Sequence, residues 1–144
     1  MHTIQPSALL KFALVADAIV SGAVALLQLT LAGPLAQLLA LPHPLLAYTG
    51  EFLLAYTLLL VLMARARRLP RALVLLPVVG NVGWAIGCAE LLIGGAVQAN
   101  GLGVAFVLVQ AVAVLVFAAL EYSGLKRSTP APADQGRGTQ ALHH

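Results

Sequence analysis

Asp17, Asn81 and Gln110 each fall near the middle of a long apolar run, where polar side chains are costly. A charged group at that depth costs about 2.5–3.5 kcal/mol on insertion scales. Ionisable groups retained there mark ion, proton or ligand paths more often than chance. An aspartate and two amides at one level would form a polar, protonatable site. The plainer reading is hydrogen bonding between helices, which contributes only about 0.6 kcal/mol per bond but sets their register. The sequence leaves both readings open.

Helical phase groups these residues further. At about 100° per residue, Asp17, Ser21 and Gln28 share one face, as do Asn81, Trp84 and Cys88, and Gln110, Val114, Phe117 and Glu121. The simplest arrangement brings Asp17, Asn81 and Gln110 together in a bundle interior, with Glu51 capping it from the outer side. Glu90 points away from Asn81. Glu121 falls at the inner edge of its run, beside Tyr122 and close to Lys126.

Helices across a bilayer must position these groups. The chain is 60% hydrophobic and 9% charged, with a mean hydropathy of +0.95. A soluble domain carries about 25% charged residues, so these charges cannot cover a water-facing surface. A bilayer core needs roughly 20 apolar residues in a helix, and four runs qualify: 8–31, 45–64, 72–96 and 101–122. They are rich in Leu and Ala and lack the polar–apolar alternation of barrel strands. The predicted fold is an all-α, up-down four-helix membrane bundle over residues 1–127. Two parallel helical hairpins would build it, with a short interfacial helix near 35–41 after the first span.

Breakers mark the connections: Gly33-Pro34, Pro42-His43-Pro44, Leu69-Pro70 and Gly94-Gly95. Residues 128–144 turn to Ser, Thr, Pro, Gly and Gln and read as a disordered tail. Pro77 removes a helix hydrogen bond one turn before Asn81 and predicts a kink. Gly83 and Gly87 match the small-xxx-small spacing for helix packing, within the bundle or in a homodimer.

Arg65, Arg67, Arg68 and Arg71 crowd the second connection, and Lys126 and Arg127 follow the fourth run. The first and third connections carry no charged residue. Basic residues favour the cytoplasmic side, so both termini are expected inside. The basic clusters are topology signals and form no stripe for nucleic acid.

No run contains a histidine, and His43 stands alone between prolines. A haem or metal in the core is therefore not expected, and no cofactor is assigned. No phosphate-binding glycine loop, Ser/His/Asp set or CxxC pair occurs. The expectation is a protein that is not an enzyme.

Asp17-x3-Ser21-Gly22, Gly33-Pro34-Leu35, Leu41-Pro42, Asn81-x2-Trp84, Gln110-Ala111 and Leu120-Glu121-Tyr122-x-Gly124-Leu125-Lys126-Arg127 together form a pattern. In this pattern the chain resembles a loose group of small bacterial four-helix membrane proteins of unassigned function. The resemblance implies a bacterial inner-membrane location and no activity.

The functional expectation is an accessory or assembly component, with the bilayer and either a second copy or another membrane protein as partners. The rival is a small proton-coupled transporter or lipophilic-ligand carrier centred on Asp17. The ligand of such a carrier is not specified by the sequence.

Overall fold

A computed structural model describes residues 2–95 and 97–132. Four long helices dominate it: α1 (Ala8–Thr30), α3 (His43–Arg65), α4 (Arg71–Ile93) and α5 (Gly101–Arg127). All four are long and apolar enough to cross a membrane. At 1.5 Å per residue, 23 residues rise about 35 Å. A short helix, α2 (Ala32–Leu39), follows α1 and ends at Ala40, whose φ of 52° is left-handed. The all-α four-helix bundle expected from the sequence is what the chain forms.

Local sequence explains the helix starts. The Ser7 hydroxyl accepts from the Leu10 amide at 3.2 Å and starts α1. The Asn100 side chain accepts from the Gly103 amide at 2.8 Å and starts α5. Asn100 also donates to the Leu38 carbonyl at 2.7 Å, tying the start of α5 to the end of α2. Prolines precede α3 and α4, where a missing amide hydrogen costs nothing.

The helices form an open ring in the order α3–α1–α5–α4. Contacts are dense between α1 and α3, between α4 and α5, and between α1 and α5, while α3 and α4 barely meet. Close packing is made by glycines other than the predicted pair. A Cβ on Gly22 would lie 3.2 Å from Thr57, and one on Gly50 3.1 Å from Gln28 and Leu29, so these positions let α1 and α3 approach. A Cβ on Gly124 would lie 2.6 Å from the Leu10 backbone, at the α1–α5 crossing. Gly83 and Gly87 have nothing within 4 Å of a Cβ. They face the gap between α3 and α4, so the expectation of internal helix packing there is corrected.

One end carries the basic residues Arg65, Arg67, Arg68, Arg71, Lys126 and Arg127. Three short strands, β1 (Thr3–Gln5), β2 (Leu69–Pro70) and β3 (Thr129–Pro130), close this end as an antiparallel sheet ordered β2-β1-β3. Pro70 and Pro130 lie on the outer strands, where no further ladder bond is needed. Ile4 and Leu69 point inward and seal a core of Leu10, Leu14, Leu60, Met63, Val74 and Leu125. The strands are too short to leave a periodic signal, and the sequence did not announce them. β3 also shows that the predicted tail begins ordered. Its remainder, residues 133–144 with His143 and His144, lies outside the described residues, as does Ala96 at the predicted end of the third span.

A second core of Leu39, Leu41, Leu46 and Val107 fills the opposite end. Between the two cores lies a polar layer. Large apolar side chains such as Phe12, Ile19, Leu62, Val79 and Val109 point outward and are more than 60% exposed. In water they would be a liability, and in a bilayer they are the lipid-facing surface.

Candidate functional site

The polar layer takes at least one residue from every long helix. Asp17 of α1 is fully buried and accepts three hydrogen bonds. The Ser21 hydroxyl, one turn along, donates to its Oδ1 at 2.9 Å. Its Oδ2 accepts from the Tyr56 hydroxyl of α3 and from the Asn81 Nδ2 of α4, each at 3.0 Å. Asn81 Nδ2 also donates to Oε2 of Glu121, on α5, at 3.2 Å. Glu121 is fully buried, and among the described residues its Oε1 has no hydrogen-bond partner. The two carboxyl groups are thus neighbours that share one amide nitrogen as their common donor.

The structure brings Asp17 and Asn81 together as the sequence suggested, but leaves out Gln110 and Glu51. Gln110 Oε1 accepts from the Trp84 indole at 3.3 Å, farther from the basic end. Glu51 is exposed. It precedes Tyr56 by five residues, about 140° around α3, so when Tyr56 faces inward Glu51 faces outward. Both assignments to the Asp17 cluster are therefore corrected.

Glu121 takes the place given to Gln110, for two physical reasons. α5 continues to Arg127, because Gly124 and Leu125 pack against α1, so Glu121 lies six residues inside the helix. Helical side chains also lean toward their helix N-terminus. For α5 that direction is away from the basic end, so Glu121 reaches into the bundle and not toward water. The phase that aligned it with Gln110 and Phe117 was the available signal. Tyr56 left none, since a tyrosine in an apolar run reads as packing.

A neutral variant tests this arrangement. In Glu121→Gln, the remaining oxygen takes the place of Oε2 and accepts from Asn81, the amide nitrogen takes the place of Oε1, and the unpartnered oxygen is gone. Its thermal midpoint in detergent is expected to equal or exceed that of the native protein. Glu121→Leu should lose about 1–3 kcal/mol, because Asn81 then keeps an unpaired donor. A larger loss for Gln than for Leu would contradict the hydrogen-bond assignment.

The gap between α3 and α4 holds two cavities. The one nearer the basic end is about 350 Å³, and Ser21, Tyr56 and Asn81 form its polar floor. The other is about 560 Å³, with Gln28, Thr49 and Gln110 among mostly apolar walls. Phe52, Gly80 and Trp84 line both. The Phe52 and Trp84 rings stack across the gap with centroids 5.9 Å apart and planes 17° from parallel, where the two cavities adjoin. Gly80, Gly83 and Gly87 give the α4 wall its width, because none carries a side chain.

The arrangement is a lateral cleft, apolar on its sides and polar at its base. Among the described residues, no group of three or more His, Cys, Asp or Glu side chains is placed to hold a metal. No family model, curated protein or solved structure matches the chain.

Proposed function

We propose that this is a binding protein of the bacterial inner membrane which takes a lipophilic small molecule from the bilayer into the α3–α4 cleft. Its basic end faces the cytoplasm, in line with the placement of Arg and Lys at that end. The observation that carries this reading is the cleft itself. It opens toward the lipid-facing surface, has the size of a drug-like pocket, and ends on a hydrogen-bonded cluster joining all four helices. A bundle selected only for packing would bring α3 and α4 together. Here three glycines on α4 keep the wall open. The walls are largely apolar and the polar groups gather at one end, which suits binding or carriage of a lipophile.

Native mass spectrometry of the protein released from membranes tests this, with Gly83→Leu beside the native chain. The substitution meets no neighbour within 4 Å of its Cβ and projects a leucine into the larger cavity. The native protein is expected to carry a small molecule that the variant has lost. A second polypeptide in the native spectrum, with no small molecule, would replace this reading with the accessory or assembly role. Bare protein in both spectra would remove the carrier reading.

A further inference from the structure

The hydrogen-bond donors of the polar cluster can be counted. Ser21 and Tyr56 have one hydroxyl hydrogen each, and the Asn81 amide has two. Ser21 spends its hydrogen on Asp17 Oδ1, Tyr56 and Asn81 spend one each on Asp17 Oδ2, and the second Asn81 hydrogen goes to Glu121 Oε2. All four point at the buried carboxyls. What remains for the cavity side is acceptor capacity: the oxygens of Ser21, Tyr56 and Asn81, the residues that form its polar floor. Behind them, Glu121 Oε1 is a further acceptor without a partner.

Resting on the cleft reading above, we infer that the ligand is a lipophile whose head group donates hydrogen bonds, an alcohol or a protonated primary amine. An acceptor-only head, such as an ester or ether, would meet oxygen lone pairs and leave them unpaired. An anionic head would in addition face two carboxyls to which, among the described residues, no basic side chain is bonded. The head sits on Ser21, Tyr56 and Asn81, and the tail extends past the Phe52–Trp84 stack into the larger cavity. Burial of a floor of unmatched acceptors in lipid is costly, and a donor head relieves that cost.

The chain has one tryptophan, and it lines both cavities. Trp84 fluorescence therefore reports occupancy directly. The native protein in phosphatidylcholine nanodiscs is titrated with dodecanol, dodecylammonium, dodecyltrimethylammonium and methyl dodecanoate, compared at equal mole fraction in the bilayer. Dodecanol and dodecylammonium are expected to reach half-maximal change at a mole fraction about tenfold below the other two, the effect of one net hydrogen bond. Their order relative to each other tells whether the native ligand is a neutral alcohol or an amine. Tyr56→Phe, which removes only one hydroxyl, should shrink the preference to about threefold or less.

Equal potency of methyl dodecanoate and dodecanol would overturn the inference while leaving the cleft reading intact. So would dodecyltrimethylammonium matching dodecylammonium while dodecanol failed, since charge and not donation would then govern. No response to any of the four would overturn both the inference and the cleft reading.

Discussion

Asp17→Ala should be among the most damaging single substitutions in this protein, costing about 2–5 kcal/mol. The lower figure takes three lost hydrogen bonds at the membrane average of about 0.6 kcal/mol each. The upper one adds a single donor left buried and unpaired, about 1–3 kcal/mol. Not all three stay unpaired. Ser21 can turn its hydroxyl to a carbonyl one turn back in α1, and Tyr56, half-buried at the cavity floor, can turn toward the cleft. Asn81 keeps Glu121. An outcome of about 3 kcal/mol, one unpaired donor on top of the lost bonds, is therefore expected. Asp17→Asn keeps the shape and one acceptor but turns an amide against the donors of Tyr56 and Asn81. It should lose less, about 1–2 kcal/mol, the range of one unmade hydrogen bond. Unfolding titrations in mixed dodecylmaltoside–dodecylsulfate micelles would measure both. If Asp17→Ala were no more costly than an ordinary surface substitution, about 0.5 kcal/mol or less, the four-helix cluster would not be holding the bundle together.

The second large effect separates two kinds of glycine. Gly124→Val is expected to prevent normal folding, whereas Gly83→Val should fold with a stability close to native. The new Cβ at residue 124 would meet the Leu10 backbone nitrogen and Cα at 2.6 Å, and backbone at a helix crossing cannot swing aside as a side chain tip can. The Gly124 carbonyl also accepts from the Ser7 hydroxyl at 2.7 Å and the Ser128 hydroxyl at 2.8 Å, so forcing α1 from α5 breaks these bonds too. Overpacking alone costs about 1–3 kcal/mol, and the lost bonds place this variant at or beyond the top of that range. At Gly83 nothing is displaced, and valine is a better helix former than glycine. Its change should stay within about 0.5 kcal/mol, as at an open surface position. Yield and retention volume on size-exclusion chromatography would show the difference. A well-behaved Gly124→Val protein would mean that α1 and α5 do not cross as described.

This contrast shows what was legible in the sequence. The spacing of Gly83 and Gly87 suggested a packing face, yet spacing says only that two small residues share a side of a helix. Which side meets a neighbour depends on how the ring of helices closes, and this ring is open between α3 and α4. The spans were legible because hydropathy responds to lipid directly. Predicted spans of 8–31 and 45–64 became Ala8–Thr30 and His43–Arg65. The fourth was cut short at Tyr122, where polar residues begin, although the helix runs to Arg127. A span ending at Tyr122 puts Glu121 at the membrane edge and hides half of the carboxyl pair. Asp17 and Asn81 could be matched because both lean toward the basic end at similar depth. Gln110 could not, since α5 runs the other way and its side chains lean outward.

The small sheet at the basic end joins residues far apart in the chain. β1 pairs with β2 through Thr3 and Pro70 and with β3 through Gln5 and Thr129. During synthesis β1 emerges first, meets β2 after two long helices have inserted, and must keep its other edge free until the last helix is made. The order of manufacture is thus written into the closure. The first helical hairpin can be fastened early, while the lock across α1 and α5 forms only when the final segment arrives. Ile4 and Leu69, which seal the core at this end, come from β1 and β2 and can meet before α5 is made, while the exposed β3 adds backbone pairing to a closure already begun.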